Sequence, residues 1–171
     1  MEGQVKNWLG TILLLVGSLL SVPAWGQTAG DIKVQLTAEK VTQDVKRQEQ
    51  LRPADQAKPG EVLQYTAVYR NESKKAVTKL QATVPIPVGT VLLADSAKPP
   101  ATAGSIDGTK FAKLPLTRIA KGADGKEREE TVPLREYRAV RWTIDRLEAG
   151  KEATVSVRVQ VVTVAATESR K

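Results

Sequence analysis

Cysteine and histidine are both absent from this chain of 171 residues. Without cysteine there are no disulfides, no thiolate nucleophiles and no lipid anchor on an N-terminal cysteine. Without histidine the usual zinc and haem ligand sets are lost, as are Ser-His and Cys-His nucleophile pairs. Any acid–base or nucleophilic chemistry would fall to carboxylates, lysine, tyrosine or unassisted serine. Aromatic residues make up only 4% of the chain, which leaves little for the stacking platforms that bind single-stranded nucleic acid. No long amphipathic helix pattern is present either. Charge is not of one sign: 26 basic residues are mixed with 19 acidic ones, for a net charge of +7. Such a bias draws anionic partners where the cations cluster and is an ordinary solvated surface where they do not.

The first segment, "MEGQVKNWLGTILLLVGSLLSVPAWGQ", reads as an export address. A short polar start with Lys6 leads into an apolar run from Trp8 to Leu20, then Pro23 and small residues at Ala24 and Gly26. The run is shorter than the roughly 20 residues a spanning helix prefers, and the ending suits signal peptidase. Residues 1–26 are therefore expected to be a signal peptide cut between Gly26 and Gln27, with Val22-Pro23-Ala24 as a second cleavage ending. The competing reading is an uncleaved anchor, which would be the chain's only tie to a membrane. Both predict an exported protein, placed by the brief leader in a bacterial periplasm or at the cell surface.

From Asp31 onward the dominant period is two, that of strands. "DIKVQLTAEKV" sets Ile32, Val34 and Leu36 on one face. "VTQDVKRQEQLRPADQAKPG" reads as a polar connection in which Val41, Val45 and Leu51 suit a short helical turn. "EVLQYTAVYRN" aligns Leu63, Tyr65, Ala67 and Tyr69; "VTKLQATVPIP" aligns Leu80, Ala82 and Val84; "PIPVGT" is a bend. Asp107-Gly108 and Asp124-Gly125 each lie between short β-compatible runs and predict type I′ hairpins. Near the end, Val140, Trp142 and Ile144 share one face, and alternate residues from Ala153 to Val161 another, with "EAG" turning the chain between them. The pattern predicts an all-β antiparallel sandwich of about 7–9 strands with one buried face per strand. It fills a single domain over 27–165, with a hairpin-rich insertion at 95–138 and a flexible tail at 166–171.

Three phrases resemble the bacterial DUF11 domain, also called the conserved-repeat domain. "KPGEVLQYTAVYRNES" is similar to its opening phrase, "VPIPVGTVLL" to its bend and following strand, and "VRWTIDRLEAGKEATVSVRVQV" to its closing hairpin. They occur in family order from about Ile32 to Val164. The resemblance implies an immunoglobulin-like sandwich, found in exported or surface bacterial proteins, without a catalytic role. Two departures stand out. Val84 takes the place of an acidic residue before the bend, and the 95–138 region is longer than the family's link.

Chemistry-bearing residues are few. The Asp-Gly pairs lack the closely spaced acids of a calcium loop, so no metal or other cofactor is expected. Glu127, Glu129 and Glu130 lie beside Lys126 and Arg128 in a hairpin arm, where solvated strand accounts for them. A carboxylate hydrolase built on Asp107 or Glu129 would need a concave, acid-lined pocket. The insertion and its exit are basic: Arg118, Lys121, Lys126, Arg128, Arg135, Arg138 and Arg141. With Tyr137, which falls off the clean alternation, all but Arg141 form the candidate interaction surface. The expected partner is an envelope protein or an anionic surface polymer, and no nucleic acid. N-terminal sequencing of the chain recovered from its own host should begin at Gln27; a start at Met1 would overturn the cleavage assignment.

Overall fold

A computed structural model describes residues 31–122 and 125–163. The expected signal peptide at 1–26, its expected cleavage site Gly26-Gln27 and the tail at 166–171 lie outside the described residues. The described chain is all-β. Its strands are β1 (Ile32–Gln43), β2 (Glu49–Pro53), β3 (Val62–Asn71), β4 (Val77–Pro85), β5 (Thr90–Leu92), β6 (Ala103–Ser105), β7 (Ala112–Lys113), β8 (Thr117–Lys121), β9 (Glu127–Thr131), β10 (Ala139–Leu147) and β11 (Glu152–Val161), with one 3-10 turn at Leu134–Glu136. One antiparallel sheet runs β2-β1-β3-β11-β5 and a second runs β4-β10-β6-β7, while β8 and β9 form a separate two-stranded arm. The sandwich expected from the alternation is what forms.

The core lies between the two sheets. Leu63, Ala67, Tyr69, Val155, Val157 and Val159 face Ala82, Val84, Val140 and Trp142 across it. Trp142 is 2% exposed, and its indole N–H donates to the Pro99 carbonyl at 2.6 Å, so its polar atom is satisfied where its rings are buried. Two of the four crossings between the sheets, β3 to β4 and β10 to β11, happen at one end, around Asn71. Asn71 is fully buried. Its amide nitrogen donates to the carbonyls of Lys75 (2.8 Å) and Leu147 (2.9 Å). Its side-chain oxygen accepts from the Ser73 N–H and hydroxyl. Its backbone bonds Lys151 and Gly150 in the other turn.

Three local expectations are corrected. The 41–51 region is not helical: Asp44 accepts from the N–H groups of Lys46 and Gln48, with Arg47 at φ 59°, closing a β1–β2 hairpin. The β6–β7 and β8–β9 hairpins form, but the first, around Asp107-Gly108, is longer than a two-residue type I′ turn, and Asp124 of the second lies outside the described residues. At the second, Gly122 N–H donates to Lys126 and Gly125 N–H to Gly122. Gly125 stands at φ 75°, the left-handed conformation that glycine adopts freely. Nor does every strand bury a face: Val34 is 51% and Leu36 45% exposed, because nothing in the second sheet reaches over β1.

Trp142→Ala should cost about 3–5 kcal/mol, lowering the melting temperature by roughly 10–15 °C. An unchanged melting curve would show that the indole is not a core group.

Candidate interaction surfaces

The seven residues of the candidate surface do not form one basic patch. Tyr137, expected at the surface, is 1% exposed. This is a correction, and its cause is tertiary. The 3-10 turn swings the ring inward against Gly104, where a Cβ would lie 2.8 Å from Leu114 Cδ2 and 2.9 Å from Tyr137 Cε1. The Tyr137 hydroxyl then accepts the buried Leu116 N–H at 3.0 Å. Arg118 is paired with Glu130 at 2.5 Å and Glu136 at 2.6 Å. Arg138 donates to the carbonyls of Arg135 and Tyr137, and Lys126 and Arg128 also have partners. Only Lys121 and Arg135 of the seven are exposed without a partner among the described residues.

The arm β8–β9 is exposed along nearly its whole length. It is rooted by buried Leu116 and Val132, joined by the Val132 N–H to the Leu116 carbonyl at 2.8 Å. Above that root the acids of β9 sit opposite the bases of β8: Arg118 faces Glu130 and Lys121 faces Glu127. Opposite charges across a strand pair neutralise one another, so the arm presents little net charge.

Asp107 is committed to its own loop. Its carboxylate accepts from the N–H groups of Lys110 and Thr109, both at 2.8 Å, and from the Ser105 hydroxyl at 2.9 Å. Those donors, the Lys110 N–H first, hold it well below the usual carboxylate range. The ordering it provides is present at neutral pH and is lost only as strong acid protonates it. Neither Asp107 nor Glu129 lines the cleft described below. Among the described residues no group of three or more acids, histidines or cysteines is arranged to hold a metal, and no helix is long and apolar enough to cross a membrane.

Two features present recognition surfaces. The first is the outer edge of β1. Partner β3 covers one edge of Ile32–Lys40, but β2 covers the other only from Glu39 to Gln43. Asp44 N–H bonds the Gln48 carbonyl on the β2 side, and the Asp31 carbonyl accepts from Glu72 N–H on the β3 side. Ladder bonds alternate along an antiparallel strand. The N–H and C=O of Ile32, Val34, Leu36 and Ala38 therefore point outward, with no partner among the described residues. Val34 and Leu36 sit opposite Tyr69 and Ala67, so their side chains extend the core face of the sheet.

The second is a cleft of about 440 Å³. It opens where β5 faces the 3-10 turn. Buried Leu92, Tyr137 and Val140 floor it, and Ala94, Asp95, Ala97, Pro100, Ala101 and Pro115 stand around them. The loop at its mouth is strapped down: Lys98 exchanges both backbone bonds with Ser156, at 2.8 and 2.7 Å, and the Ser96 hydroxyl donates to the Leu93 carbonyl at 2.7 Å. Sequence reasoning missed the cleft because its walls come from segments more than forty residues apart, from Leu92 to Val140.

Tyr137→Phe should leave the Leu116 N–H buried without an acceptor, costing about 1–3 kcal/mol and speeding exchange of that amide. Unchanged stability together with unchanged exchange would contradict the role given to the hydroxyl. Compared with known proteins, the chain matches no family model, no curated protein and no solved structure.

Proposed function

We propose that this chain is a non-catalytic module, exported to the bacterial periplasm or cell surface, that holds a partner protein of the envelope by strand addition. One observation carries the reading: the outer edge of Ile32–Ala38 is unpaired among the described residues and backed by half-exposed Val34 and Leu36. Free backbone groups supply affinity in this mode, and alternate side-chain positions supply selectivity. Soluble proteins usually blunt such edges. The leader supports export. The family reading, DUF11, is supported by where its phrases fall: Tyr69 and Asn71 at the crossing of the sheets, Trp142 in the core, and the Pro87–Gly89 bend leading into β5.

A second reading is binding of an anionic polymer or membrane surface through the basic hairpins. It is favoured by the unpaired, exposed Lys121 and Arg135 and weakened by the acids that face the bases along the arm.

The two separate in a crosslinking experiment. A photoreactive residue at Gln35 should capture an envelope protein in cells, with capture surviving high salt. Leu36→Pro removes an outward N–H and spares the β1–β3 ladder, so it should abolish capture and leave the fold intact. Capture unaffected by Leu36→Pro, or no capture from Gln35, would refute strand addition. Retention on anionic vesicles that disappears with salt would favour the charge reading.

A further inference from the structure

We infer that the cleft at the mouth of the 95–138 insertion is a second recognition site, which takes an apolar side chain of a partner protein lying next to a lysine or arginine. It is independent of the β1 edge, since no residue of β1 lines it.

The cleft is open because small residues stand where larger ones would close it. Ala94, Ala97 and Ala101 surround the mouth, and below them Leu92, Leu93, Leu114, Leu134 and Tyr137 present carbon surface. The polar atoms of this neighbourhood are already used. The Ser96 hydroxyl bonds the Leu93 and Arg158 carbonyls, and the Tyr137 hydroxyl accepts from Leu116. A ligand entering the cleft therefore meets apolar walls, and burying an apolar group there is favourable by ordinary transfer. At about 440 Å³ the space lies at the small end of ligand sites. It suits one large side chain and its neighbour better than a lipid with several chains.

The charge at the mouth sets the neighbour. Asp95 is the one ionisable group with a free charge lining the cleft, and it is exposed. Its carboxylate makes no hydrogen bond or ion pair among the described residues. Elsewhere on the described surface, carboxylates such as Glu49, Glu61, Asp145 and Glu148 are matched to a cation. Asp95 is also held at φ 54°, a left-handed conformation that Asp and Asn tolerate better than other side chains. The Ser96 bonds on one side and the Leu93 N–H to the Arg158 carbonyl on the other fix it there. An anionic headgroup or polymer would be repelled at this rim. A cation beside an apolar anchor would be attracted.

The probes are N-acetyl-Trp-Lys-amide and N-acetyl-Trp-Glu-amide, titrated into the whole chain and followed by amide chemical shifts. The Lys probe should shift Leu93–Ala97, Ala101 and Leu114, and should bind at least about fivefold more tightly than the Glu probe. Asp95→Asn keeps the backbone preference and should erase that difference while leaving binding of the Trp ring. Ala101→Trp fills the cleft and should abolish binding of both probes. The inference is overturned if neither probe shifts these amides, if the two bind equally to the unaltered chain, or if Asp95→Asn leaves the preference for lysine intact. Shifts confined to Ile32–Ala38 would also overturn it, and would bear instead on the β1 edge.

Discussion

The two sheets meet at one buried amide. Asn71 lies at the end of β3, where the chain leaves the first sheet, and beside the end of β10, where the chain returns to it. Its side chain and backbone satisfy groups in both turns at once. Buried polar groups are stabilising only when fully partnered, and here no buried side-chain polar atom of the described residues is left without a partner. An apolar replacement of equal size would take this donor from the buried Leu147 carbonyl and leave the Lys75 carbonyl to the Ser73 hydroxyl alone. This clamp acts with the Tyr69 hydroxyl on Thr83 and with the shared core of Trp142 and the β11 valines to hold β4 and β10 over β3 and β11.

From that frame the two flanks of the sandwich diverge. The edge of β4 is blunted. The Tyr69 hydroxyl both donates to the Thr83 carbonyl and accepts from the Thr83 N–H, at 2.9 and 2.8 Å; Pro85 lacks a donor; and Lys79 is kinked at φ 54°. Such devices discourage pairing. The Ile32–Ala38 stretch of β1 has none of them among the described residues, and its Val34 and Leu36 stay half-exposed. An unguarded edge beside a guarded one argues that the open edge has a use. On the other flank, alanines at the mouth of the insertion leave a cleft where larger residues would complete the core.

Much of this fold was legible in the sequence, because burial on one face of a strand leaves a period of two. The alternation in β3, β4, β10 and β11 marked the strands that line the core, and Trp142 fell on the buried face. What failed did so for identifiable reasons. The β1–β2 hairpin turns on an aspartate side chain and a left-handed arginine, without the glycine that signals a turn. Alternation in β1 marked an apolar face but could not say whether a second sheet would cover it. Tyr137 was misplaced because a single 3-10 turn shifts the phase of the chain just before β10. The basic residues of the insertion were visible as a run, but their neutralisation depends on strand register, which sets Arg118 against Glu130 and brings Glu136 within reach. The cleft could not be seen at all, since it is an absence of bulk shared between distant segments.

Native-state hydrogen exchange tests the central claim most directly. The Asn71 N–H, bound to Lys151, and the Gly150 N–H, bound to Asn71, lie at chain turns that would ordinarily open locally. If Asn71 clamps the β3–β4 and β10–β11 crossings, these two amides exchange only on global unfolding, with opening free energies within about 0.5 kcal/mol of the central amides of β3 and β11. Opening of either amide several kcal/mol below that level, while the strands stay protected, would show that the turns are not what holds the sheets together.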